Sequence, residues 1–257
     1  MADGHATPEH QRNVEDLFMH AEEIDYSHGG RKRGGYFACN DAIAGKRPGV
    51  LVIHDLWGLG EQPKERARKL AELGYVALAV DLYGDRRQPT ALSEALPLVD
   101  ELRSDNGRFR GLLRAGLDTL RRHPLVDGSR LAAIGFCLGG IAVLELARDG
   151  TDLRGVVCFH GNLDTPAPAQ AGQVKAGVLV CTGGDDPLIP GAQISAFQDE
   201  MKNAGVDWQV NVYGGAEHSF TNVFADRAGI PGVRYHRNAD LRSWEAMRQF
   251  LAESFGD

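Results

Sequence analysis

The chain has no long apolar run. Across its 257 residues no stretch approaches the ~18–20 consecutive apolar residues that a membrane-spanning helix requires, so no membrane partner is expected. A basic excess is missing as well. Lys and Arg total 28 against 35 Asp and Glu, a formal net charge of −7, whereas a nucleic-acid binder normally presents a basic face. No nucleic-acid partner is therefore expected. Cysteine is scarce: Cys39, Cys137, Cys158 and Cys181 are the four present, and none forms a C-x-x-C pair. That excludes a disulfide framework and points to a reducing, cytoplasmic setting. No H-x-x-x-H or paired-cysteine spacing occurs, so neither a metal nor another cofactor is expected. The segment Met1–Val14 is polar and mixes Asp with Glu, which is the composition of neither a secretory signal nor a transit peptide. Residues 1–14 read as a flexible lead-in and residues 15–257 as a single domain.

What is present is an alternation of strand and helix signals. Glu22–Tyr26 and Lys32–Cys39, split by His28-Gly29-Gly30, predict an N-terminal antiparallel β-hairpin. Pro48–His54 is a continuous apolar run of the kind that a parallel strand buried on both faces needs. Tyr75–Val80, Arg130–Gly135, Gly155–Phe159, Gly177–Cys181 and Trp208–Tyr213 read as further strands. Helical periodicity marks Gln62–Leu73, Thr90–Arg103, Arg108–Arg122, Gly139–Arg148, Ala192–Ala204 and Asp240–Phe255. The alternation implies an α/β fold with a mostly parallel, doubly wound sheet, in which chemistry collects in loops at the carboxyl ends of the strands.

Those loops hold the unusual residues. Gly135-Phe136-Cys137-Leu138-Gly139 runs from a strand into a helix and has the form of the nucleophile elbow G-x-S-x-G, with Cys in place of Ser. The flanking glycines have a steric reason, because side chains two residues either side of the nucleophile would collide across so sharp a turn. The following helix directs its N-terminal amides and positive dipole end at the sulfur, favouring thiolate. Given four cysteines and 32 glycines, chance alone would supply roughly 0.06 such elbows. In this architecture an acid and then a His follow the nucleophile along the chain. Asp185 and Asp186 lie just after the strand Gly177–Cys181, and His218 just after Trp208–Tyr213; spacing alone leaves the choice between the two aspartates open. The arrangement suits nucleophilic catalysis, with His218 taking the thiol proton and a carboxylate orienting the imidazole. An oxyanion hole needs two backbone N–H groups. One is that of Leu138, and the other belongs to the loop His54-Asp55-Leu56-Trp57-Gly58.

The chain resembles the dienelactone hydrolase family of α/β-hydrolases over nearly its whole length. The residues that carry the resemblance are His54-Asp55-Leu56-Trp57-Gly58, Asp81-Leu82-Tyr83-Gly84, Gly135-Phe136-Cys137-Leu138-Gly139-Gly140, Asp186-Pro187-Leu188-Ile189-Pro190 and His218-Ser219-Phe220. The resemblance implies the α/β-hydrolase fold and cleavage of a small-molecule carboxylic ester or lactone through an acyl-cysteine. It implies a triad of Cys137, His218 and Asp186, with Leu56 and Leu138 supplying the oxyanion amides. Two positions depart from the pattern of dienelactone-opening members: Asp55 stands where they have a Glu facing the resting thiol, and Asn222 where they have an Arg that grips the substrate carboxylate. Recognition of a small anionic lactone is then expected to be weaker or to rely on another cation, Arg86 or Arg87. Asp55, Trp57, Tyr83, Phe136 and His160 all fall at or just beyond carboxyl strand ends and are expected to line the substrate pocket. The protein is expected to be a monomer or homodimer. Two other readings use the same residues: a promiscuous hydrolase of thioesters or phosphotriesters, and a non-catalytic binding protein in which Cys137 is a redox-sensitive thiol.

Overall fold

The computed structural model of the chain describes residues 18–256; the lead-in read over residues 1–14 lies outside them. Eight strands form one sheet in the order β1-β2-β4-β3-β5-β6-β7-β8. The antiparallel hairpin predicted at the N-terminus is there, as β1 (Met19–His28) and β2 (Arg31–Asn40). Its two-residue connection, Gly29-Gly30, has φ of 58° and 74°, the positive values that a tight hairpin turn requires at both central positions. β2 also pairs antiparallel with β4 (Val76–Val80), and every later pairing is parallel.

The remaining strands are β3 (Arg47–Ile53), β5 (Val126–Phe136), β6 (Gly155–Phe159), β7 (Gly177–Gly183) and β8 (Trp208–Tyr213). β5 begins four residues before the predicted strand. Val126 and Asp127 pair with Arg47 and Pro48 ahead of a register shift between Pro48 and Gly49, and nothing local in the sequence announces that extension. β3 shows why an unbroken apolar run is needed. Leu51 and Ile53 pack into the core on one face of the sheet, Val50 and Val52 into the core on the other, as a two-residue period requires.

The helices are α1 (Glu61–Glu72), α2 (Leu92–Arg103), α3 (Asn106–Arg121), α4 (Leu138–Arg148), α5 (Gly191–Ala204) and α6 (Arg237–Phe255). Leu70 of α1 and Met247 and Leu251 of α6 join the core beside Val50. Leu113 of α3, Leu144 of α4 and Phe197 of α5 join the one beside Leu51. The chain leaves β3 toward β4 on one side and returns to β5 on the other. That reversal opens a crevice at the carboxyl ends of β3 and β5, where ligands bind in doubly wound sheets. No helix among the described residues is long and apolar enough to cross a membrane.

Candidate active site

Among the described residues, five that are not glycine have positive φ: Asp85, Arg86, Cys137, His160 and Ser219. All five follow the carboxyl end of a strand; one of them is Cys137 itself, and another, His160, stands against His218, whose ring meets the Cys137 sulfur. Strain of this kind persists where the surrounding structure imposes it. Cys137, at φ 51° and ψ −109°, is the residue between β5 and α4. Its glycine neighbours are sterically required. A Cβ on Gly135 would lie 1.9 Å from the Gly139 carbonyl oxygen, and one on Gly139 would lie 2.2 Å from that of Ile53. Both contacts are to backbone, so no side-chain rearrangement relieves them.

His218 comes from beyond β8, two strands further across the sheet than β6, and must be carried back to the elbow. The chain does this by packing backbone on backbone. The His218 N–H donates to the Gly232 carbonyl at 2.9 Å, and Arg234 N–H donates to the His218 carbonyl at 3.0 Å. At the root of the loop, Gly183 lets the Ala216 carbonyl pass 2.3 Å from where a Cβ would stand. The ring that results bridges two partners: Nε2 is 3.1 Å from Cys137 Sγ and Nδ1 is 2.9 Å from Asp186 Oδ2. Asp186 is buried, and its other oxygen accepts the Leu188 N–H at 2.9 Å. Asp185 is exposed. Of the two aspartates, Asp186 is the one hydrogen-bonded to the His218 ring.

Burial alone would make His218 harder to protonate. The negative charge of the adjacent Cys137 and the hydrogen bonds to Asp186 and Cys137 outweigh it and raise the imidazole to about 10. Behind the ring, His160 Nε2 meets Thr221 Oγ1 at 2.8 Å and its ring stands edge-on to His218 at 5.3 Å. Burial holds His160 neutral, its pKa well below the ordinary value.

The β3 loop closes the other side. Asp55 accepts the Trp57 N–H at 2.8 Å and the Asn222 Nδ2 amide at 3.1 Å. The two departures from the family pattern are therefore a single hydrogen-bonded pair. Burial pushes the Asp55 carboxyl up to about 6, against the opposing pull of Trp57, Asn222 and His218. Tyr83 donates its hydroxyl to the Leu56 carbonyl at 2.9 Å. Leu82 N–H donates to His54 Nε2 at 3.1 Å, which leaves the Nδ1 proton for the Asp55 carbonyl.

Most of the side chains expected to line the pocket are buried. Phe136 is 1% exposed, lies flat against Phe159 at 4.8 Å and belongs to the core on the α1–α6 face. His160 is equally buried and backs His218. Tyr83 and Asp55 brace the β3 loop from within, so of the five residues only Trp57 keeps substantial surface. For Phe136, the last residue of β5, the reason is periodicity: a strand end aims alternate side chains at the two cores and not at the crevice. Arg86 is also committed elsewhere, pairing with Asp25 at 2.9 Å, and Arg87 donates to the Tyr83 carbonyl at 2.8 Å. Among the described residues no three His, Cys, Asp or Glu side chains gather as a metal-binding group.

Sequence reasoning missed Arg66. Its buried guanidinium donates at 2.7 Å to both the Thr221 carbonyl and Asp240, and lies over the Phe136 and Trp244 rings. It ties α1 and α6 to the loop that carries His218. As one polar residue on an amphipathic helix, it left no local signal.

The sequence profile of the dienelactone hydrolase family matches residues 34–255. A solved structure named m3DLH is 43% identical and superposes with a TM-score of 0.88, covering 93% of this chain and 99% of that one. A dienelactone hydrolase-like promiscuous phosphotriesterase from metagenomic libraries is 42% identical, with a TM-score of 0.88 and coverage of 92% and 99%. An uncharacterized protein of Caenorhabditis elegans is 37% identical over 58% of this chain and 96% of its own length.

Proposed function

The chain belongs to the dienelactone hydrolase family of α/β-hydrolases, and from that premise we propose that it hydrolyses carboxylic esters or lactones with Cys137 as nucleophile, His218 as acid–base and Asp186 as the carboxylate that orients the imidazole. The observation that carries the reading is the unbroken line Sγ–Nε2, 3.1 Å, and Nδ1–Oδ2, 2.9 Å, ending on a sulfur in strained backbone.

In this reading His218 Nε2 holds the proton of Cys137, leaving a thiolate beside an imidazolium that Asp186 stabilises. Sulfur attacks the acyl carbon. The carbonyl electron pair moves onto oxygen, which the N–H groups of Leu138 and Leu56 receive. The tetrahedral intermediate collapses, the C–O bond to the alcohol breaks, and the leaving oxygen takes the Nε2 proton. Acylation removes the negative sulfur that helped raise the His218 pKa, so the imidazole falls back toward its ordinary range and can deprotonate water. Hydroxide attack on the thioester then releases the acid and restores the pair. The Asp55–Asn222 pair fills the place where a substrate-gripping cation would stand, which favours neutral esters over small anionic lactones. The four free thiols suit a reducing, cytoplasmic compartment.

The test is hydrolysis of p-nitrophenyl acetate. Cys137→Ala and His218→Ala should each lower kcat by about 10³-fold or more, and unchanged turnover in the Cys137→Ala enzyme would refute the mechanism. Turnover should persist from neutral pH into the alkaline range and decline as pH rises through the His218 pKa. A second reading, attack on phosphotriesters, is favoured by the 42% identical promiscuous phosphotriesterase. The same amides would face a phosphoryl oxygen, and paraoxon turnover that depends on Cys137 tests it.

A further inference from the structure

Where the β1–β2 turn meets α2 and α3 lies a cavity of about 190 Å³ whose walls include His28, Arg31, Arg33 and Arg108 over a floor of Leu102, Phe109 and Leu112. None of these residues belongs to the group around His218. The cavity carries three guanidiniums. The carboxylate beside them is Glu101, shared between Arg108 at 3.1 Å and Arg31 at 3.9 Å, so positive charge is in excess.

Arg33 is the unusual member. It is 7% exposed, and one of its Nη atoms donates to the Leu82 carbonyl at 2.7 Å, yet its Nε is buried without a partner. It forms no ion pair among the described residues. A guanidinium is costly to bury without a counter-charge. The nearby carboxylate of Asp81 is already taken up by the N–H groups of Tyr83, Gly84 and Arg86.

We propose that this cavity is a binding site for a small organic carboxylate with an apolar body. Guanidinium forks suit carboxylate oxygens, and the Leu102–Phe109–Leu112 floor suits hydrocarbon. The volume is below the ~300–1,000 Å³ of pockets that take drug-sized ligands, which restricts the ligand to roughly a single ring. Nothing in the proposal depends on the chemistry at Cys137.

Titration calorimetry with benzoate tests it. Saturable 1:1 binding is expected, weakening with added salt. The double variant Arg31→Gln/Arg108→Gln removes exposed rim charges, so the fold should survive, and it should weaken binding at least tenfold. Glu101→Gln removes the competing carboxylate and should tighten binding several-fold, a direction that a purely structural role for these arginines does not predict. Binding unaffected by the double variant, or no saturable binding to wild type, would overturn the site. Benzamide binding as tightly as benzoate would overturn charge recognition, and inorganic phosphate binding as tightly would overturn the apolar-body assignment.

Discussion

Asp55→Asn is a perturbation whose sign changes with pH. Asp55 is 4% exposed, and burial lifts its carboxyl from 3.8 to about 6. A group with a raised folded pKa contributes stability that is full below its unfolded value and lost as pH rises through its folded value. The difference of about 2 units corresponds to about 3 kcal/mol at 1.36 kcal/mol per unit, so wild type carries a penalty of that order above about pH 6. Asparagine removes the charge but not the shape. It can still accept the Trp57 N–H, but it presents an amide to the Asn222 amide. Relieving that by turning Asn222 over would cost the bond from Phe224 N–H to Asn222 Oδ1 at 2.9 Å, worth about 1 kcal/mol. The variant should therefore be less stable than wild type by about 1 kcal/mol near pH 4, and more stable by about 2 kcal/mol near pH 8. Urea unfolding at a series of pH values reads both, and the two curves should cross. Stabilities that run parallel from pH 4 to 8 would refute a buried, titrating Asp55.

Gly135→Ala should cost about 4 kcal/mol or more, because its Cβ would meet the Gly139 carbonyl oxygen at 1.9 Å with only backbone to move; a soluble variant with a urea midpoint near wild type would contradict this. Arg66→Met should cost about 3–5 kcal/mol by leaving the buried Asp240 carboxylate without its guanidinium partner, with the Tyr235 hydroxyl at 3.2 Å still donating to it, and adding Asp240→Leu should recover most of the loss in denaturant unfolding. A single variant costing under about 1 kcal/mol would show that the pair does not hold the His218 loop. Iodoacetamide near neutral pH should label one thiol per native chain. Burial pushes Cys158 and Cys181 up to about 12 and raises Cys39; peptide mass spectrometry that finds these labelled as fast as Cys137 would overturn the distinction.

The sequence by itself determined what is local or ordered along the chain. The elbow was legible because its motif spans only five residues, Gly135 to Gly139, although the carbonyl that makes Gly139 obligatory belongs to Ile53 of β3. The sheet was legible because strands buried on both faces must be apolar along most of their length, as β3 is from Pro48 to Ile53. His218 and the Asp185-Asp186 pair could be placed because loops after parallel strands all open on one edge. Tertiary structure decided the rest, since it concerns residues far apart in the chain. Asn222 reaches Asp55 across 167 positions and Arg66 reaches Asp240 across 174, distances over which no spacing rule operates. It also decided which strand-end side chains face solvent. Phe136 sits beside the nucleophile in sequence and His160 just past the end of the next strand, yet the pleat turns Phe136 into the core and the Thr221 hydroxyl holds His160 behind the imidazole. The sequence could say which side chains lie near the carboxyl strand ends, and only packing could say which of them a substrate can touch.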